Sequence, residues 1–148
     1  MTHIIRPTMP SILRRAFDAF AGNDPIAIGE AFEPFGSLVT HVDAPLLRML
    51  GVEDTGKGMR ANGSLGIAQQ FAAELSLYRV GHMELHSAIR AGREVAVVCE
   101  FEAKLTSTGD TVAARCMGFY TLNDRGQRLV SARSVCQLIT PGWDHKIN

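Results

Sequence analysis

Cysteine is scarce in this 148-residue chain and a net charge is missing altogether. The three cysteines, Cys99, Cys116 and Cys136, make an odd number and lack the spacing of a metal site. They lie in apolar, strand-like runs, which reads as reduced core thiols in a cytoplasmic protein. Fifteen basic and fifteen acidic residues cancel. With no basic block or arginine stripe, nucleic acid and anionic membrane surfaces are not expected partners. No apolar run approaches the ~20 residues of a bilayer span. The opening "MTHIIRPTMPSILRR" has no charged start followed by an apolar h-region, so it does not read as a secretory leader. No internal repeat, low-complexity tract or interdomain linker is visible. "GVEDTGKGM" shares only composition with a phosphate loop, because its one lysine, Lys57, is not followed by Ser or Thr. No nucleophile elbow is present, and neither a metal nor an organic cofactor is implied.

What is present is a helical first half and a strand-rich second half. The length, with 46% hydrophobic residues, suits a single domain over residues 1–148. "PSILRRAFDAFAG" places Ile12, Leu13, Ala16, Phe17 and Phe20 on one helical face, with Ser11 as an N-cap and Gly22 as the stop. "NDPIAIGEAFEPFG" predicts a second helix capped by Asp24, with Pro25 at its first position and a stripe of Ile28, Ala31, Phe32 and Phe35. "SLVTHV" reads as a short strand. Residues 44–60 form a Gly-punctuated segment with one turn of helix at Leu46–Leu50, and "NGSLGIAQQFAAELSL" predicts a third long helix. The period then becomes two. Strands are predicted over about 78–90, 93–105, 111–122 and 128–139, separated by short Gly-containing turns that imply antiparallel hairpins. Helices followed by strands define an α+β fold, with strands long enough to bend strongly and curl around the helices.

Four stretches, "AFDAFAGNDPIAI", "LVTHVDAP", "GSLGIAQQFAAEL" and "GFYTLNDRGQRLVSARSV", resemble the cone-shaped superfamily of nuclear transport factor 2, ketosteroid isomerase and SnoaL-like polyketide cyclases. The resemblance covers about residues 10–140. It implies a cystatin-like cone, three N-terminal helices packed in the concave face of a strongly curved antiparallel sheet, with a pocket between them that takes a small, mostly apolar or carbonyl-containing organic molecule. It also implies a homodimer through the outer sheet face, with Ala96, Val98, Ala114, Cys116, Gly118, Tyr120 and Val135 outside. The superfamily hosts isomerases, cyclases, dehydratases, epoxide hydrolases and non-catalytic binders, so fold alone leaves function open.

The resemblance places Asp43 where isomerase-like members carry a general base, and proton abstraction beside a carbonyl is the chemistry it implies. The other reading of Asp43 is a turn residue whose carboxylate accepts backbone hydrogen bonds. His41 shares its strand face under period two and is a candidate second acid–base group or a partly exposed histidine. The oxyanion donors of the isomerases are replaced here by Ala16 or Phe17 and by Met117. Arg115 either stands in for them inside the cone or lies at the rim paired with a surface Glu. The positions of the epoxide-hydrolase Asp–Arg–Asp set hold Cys99, Phe101 and Ser134, so the resemblance does not extend to that chemistry. Pocket-lining candidates are Phe17, Phe20 and Phe35 from the helices, and Cys99, Phe101, Met117, Phe119 and Ser134 from the strands. Ser134 contacts a ligand or bonds its own backbone. In "HMELH", Met83, Leu85 and Ile89 are expected inside. His82 and His86 are then outside and about 13 Å apart, too far to share a metal. The functional alternatives are an enzyme of isomerase or cyclase type, a non-catalytic ligand-binding or protein-interaction module, and an assembly subunit with a vestigial pocket.

Overall fold

The computed structural model describes residues 9–139. Helix α1 (Ser11–Ala21) buries Ile12, Leu13 and Ala19. Its N-cap position is Pro10, and Ser11 is the first helical residue rather than a side-chain cap. Helix α2 (Pro25–Glu30) begins as expected, with the Asp24 carboxylate accepting from the Ala27 amide at 3.1 Å. It stops at Glu30, after Ile28 but before Ala31, Phe32 and Phe35 of the predicted stripe. Pro34 cannot occupy a helix interior and forces its predecessor toward extended geometry. Strand β1 (Phe32–Val42) therefore starts at Phe32. A bulge between Phe32 and Ser37 turns Phe35 outward, where it is 96% exposed.

Helix α3 (Ala44–Leu50) is the anticipated turn after Asp43, and Gly51 closes it in the left-handed region. The four-residue strand β2 (Met59–Asn62), which has no alternating apolar signal, leads into α4 (Gly63–Glu74). Strands β3 (Tyr78–Ala91), β4 (Glu94–Leu105), β5 (Thr111–Leu122) and β6 (Leu129–Leu138) lie within two residues of expectation at every end. The curved sheet runs β2-β1-β6-β5-β4-β3. Every pair is antiparallel except β1 with β6, which is parallel because a crossover through α3, β2, α4 and three strands separates them.

Register decides what is inside. Directly paired residues point to the same face. Val95, Val97, Cys99 and Phe101 of β4 face Tyr120, Gly118, Cys116 and Ala114 of β5, and these eight form the inner, helix-covered face. Ala96, Val98 and Glu100 face Phe119, Met117 and Arg115, and this set is the outer face. The predicted parity of β4 holds, but that of β5 is reversed. Met117 and Phe119 are 49% and 57% exposed, while Ala114 is fully buried. "AARCMGFY" is apolar on both sides, so period two alone could not fix its direction. In β3 a second bulge, between Leu85 and Ser87, swaps the faces again. Leu85 and Ala88 pack on the core, whereas Ile89 is out at 71% exposure.

Candidate functional site

Helices α1 and α4 do not press flat on the inner face, and a cavity of about 120 Å³ remains between them and the sheet. Four rings line it in a connected chain. Phe20 of α1 meets Phe71 of α4 edge-on at 6.2 Å and Phe101 of β4 at 5.1 Å. Phe101 in turn stacks on Tyr78 of β3 at 6.0 Å. On the other side Phe17 meets Tyr120 edge-on at 5.7 Å. Gly118 makes room for that tyrosine, because a Cβ there would lie 2.7 Å from the Tyr120 Cζ. The lining is otherwise aliphatic, apart from a few polar side chains. Ser134 donates to Thr40 Oγ1 at 3.1 Å, so the two hydroxyls satisfy each other. Burial and the neighbouring Glu100 charge push the Cys99 thiol up to about 11, which keeps it protonated.

One lining residue carries a carboxylate. Glu74 ends α4, and Tyr78, which begins β3, donates its hydroxyl to Glu74 Oε1 at 2.5 Å. Burial raises the Glu74 carboxyl above its usual range, and the tyrosine hydrogen bond only partly opposes this. Tyr78 is pushed well above its ordinary value by burial first, then by the Glu74 charge and the bond it donates. No Lys, Arg or His lines the same cavity among the described residues.

The residues expected to act together are not gathered here. Asp43 is the N-cap of α3. Its Oδ1 accepts from the Leu46 amide at 3.0 Å, and both carboxylate oxygens lie 3.2 Å from the Leu138 amide. It joins α3 to β6 and does not line the cavity. In β1 the cavity-lining residues are Phe32, Leu38, Thr40 and Val42, and His41, between the last two, points the other way. It borders a separate, polar groove beneath residues 52–59. Gly58, at φ +73°, lies over its ring, and a Cβ there would sit 2.8 Å from His41 Cε1. Arg115 is on the outer face, where Nε and Nη2 donate to Glu100 Oε2 at 2.8 and 2.6 Å. His86 Nε2 lies 3.4 Å from the other Glu100 oxygen. These partners hold Glu100 below its usual value although burial alone would raise it. Glu84, His86 and Glu100 thus come within 4.8 Å of one another, although Glu100 is already engaged.

Of the expected lining, Phe17, Phe20, Cys99, Phe101 and Ser134 border the cavity. Phe35, Met117 and Phe119 do not, for the reasons of bulge and register given above. Sequence reasoning missed Glu74 and Tyr78. The signal was a Glu three residues after Phe71, on the stripe that continues to Leu75, with a Tyr four residues beyond. The reading of three reduced thiols is also corrected, since Cys116 and Cys136, directly paired across β5 and β6, form a disulfide on the cavity wall. The cytoplasmic expectation loses that support. No described helix is long and apolar enough to cross a membrane.

No family model matches the sequence and no curated protein matches it. Solved structures do share its fold. One is a hypothetical protein with a ketosteroid isomerase-like fold from Catenulispora acidiphila, solved in complex with trimethylamine. It is 19% identical, covers 86% of this chain and 85% of its own, and has a TM-score of 0.68. A SnoaL-like protein from Jannaschia is 14% identical over 85% of this chain and 83% of its own, with a TM-score of 0.66. A nuclear transport factor 2-like protein from Burkholderia xenovorans is 15% identical over 85% and 86%, with a TM-score of 0.61. The chain therefore has the cone-shaped α+β fold of ketosteroid isomerase-like, SnoaL-like and nuclear transport factor 2-like proteins.

Proposed function

We propose that this protein binds a small, mostly apolar organic molecule in the cavity between α1, α4 and the inner sheet face. The observation that carries this reading is a space of about 120 Å³ walled by aromatic and aliphatic side chains. An apolar cavity of about 150 Å³ holds benzene, so the ligand has the bulk of one six-membered ring. A proton abstraction beside a carbonyl would have Glu74 as its acid–base group. Asp43 is not proposed for that role, because two backbone amides engage its carboxylate. Binding without chemistry needs nothing beyond the cavity and is the reading adopted.

Cyclohexanol is a suitable neutral probe. It should perturb amide NMR resonances of α1, α4 and the inner face of β4 saturably, and Ala16→Phe, which fills the cavity from α1, should abolish this. Perturbation that survives Ala16→Phe in a folded protein would contradict the reading. Self-association is proposed for the outer face, where Phe119, Ala96 and Ile89 lie in one cross-strand row and Val135, Met117 and Val98 in the next. Light scattering should show a dimer that Phe119→Asp converts to monomer. An unchanged mass would remove that face from consideration.

A further inference from the structure

Apart from the mutually bonded hydroxyls of Thr40 and Ser134 and the cysteine sulfurs, the cavity lining is apolar except at Glu74. Glu74 has no cationic side chain among the residues that line the same space. Tyr78 occupies Oε1, and no described residue donates to Oε2. That oxygen is not sealed away, because no buried side-chain oxygen among the described residues lacks a partner. Beside the carboxylate stand the linked rings of Tyr78, Phe101, Phe20 and Phe71, the last one turn earlier on α4. A carboxylate in apolar surroundings lacks the counter-charge that would relieve its lost hydration. Aromatic faces carry the negative side of the ring quadrupole, so they attract cations and disfavour anions.

We infer that the ligand of this cavity is a protonated amine on a compact apolar body, its N–H donating to Glu74 Oε2 and its carbon frame packed against the four rings. The inference rests on the cavity being a ligand site and adds the charge of the ligand. A neutral molecule would satisfy the rings and leave the carboxylate uncompensated, whereas an anion would be repelled by it. Burial raises the Glu74 carboxyl, and a cation held beside it would oppose that shift.

The test compares cyclohexylamine, a cation at neutral pH, with cyclohexanol, its neutral counterpart of equal size, by calorimetric titration. The expected result is tighter binding of the amine by about tenfold or more, from a charge-assisted hydrogen bond and cation–π attraction. In Glu74→Gln, which keeps the side-chain shape, the amine should fall to the affinity of cyclohexanol, and cyclohexanol should be little changed. Equal affinities in the unaltered protein, or a preference for the amine that persists in Glu74→Gln, would overturn the inference while leaving the cavity a ligand site. Binding of neither probe would overturn both. The comparison in the unaltered protein needs no variant to fold.

Discussion

Glu74, at the end of α4 over the inner side of the sheet, and Glu100, on the outer face of β4, are driven in opposite directions by their environments. Glu74, inside, accepts from a tyrosine hydroxyl and lines a cavity it shares with aromatic rings, and burial raises its carboxyl. Glu100, outside, has the forked guanidinium of Arg115 and the imidazole of His86, which lower it. The outer group is an ion pair that is complete within the protein. The inner group is incomplete, and that difference locates the candidate site more sharply than any count of charged residues.

The contrast between the two faces can be broken most strongly at paired phenylalanine positions. Phe101 is 8% exposed on the inner face, and Phe101→Ala should cost about 3–5 kcal/mol in denaturant unfolding. Phe119→Ala, on the outer face, should change monomer stability by no more than about 0.5 kcal/mol. A large loss at Phe119 would reverse the register assigned to β5. Asp43→Ala should cost about 0.5–2 kcal/mol, the worth of an N-cap, while leaving cyclohexanol binding intact. A loss of binding with stability unchanged would return Asp43 to the pocket. Arg115→Ala should cost less still, about 1 kcal/mol at most, because the pair with Glu100 is partly exposed and screened by salt.

Titration sharpens the same comparison. Folded Glu74 keeps its proton to higher pH than the unfolded chain, so its contribution is present at low pH. It is lost as pH rises from the usual glutamate range through the folded value. Folded Glu100 holds its proton less well, so its contribution is present above that range and lost as pH falls. Melting temperature followed against pH should therefore fall less steeply on the alkaline side in Glu74→Gln, and less steeply on the acid side in Glu100→Gln. Identical profiles in the two variants would mean that the faces do not differ electrostatically.

Much of the fold is legible in the residues. Alternating runs broken by "RAGRE", "TSTGD" and "NDRGQ" fix four long strands, and Asp24-Pro25 fixes the start of α2. Legibility ends where a local pattern satisfies two structures. Ile28, Ala31, Phe32 and Phe35 fit a helical stripe, yet Pro34 ends the helix. The strand β5 is apolar on both sides, so only its hydrogen-bonded register with β4 shows which side is core. Asp43 sits at a family base position and also before Ala-Pro at a helix start, and the second fact governs its geometry. Glu74 could be read from sequence only by asking why an acid stands on an apolar stripe.

The most direct measurement of the central claim is a set of intermolecular nuclear Overhauser effects from bound cyclohexanol. The account predicts contacts to ring protons of Phe20 and Phe101, on the inner face. Contacts to Met117 and Phe119 instead would contradict it and move the ligand to the outer surface of the sheet.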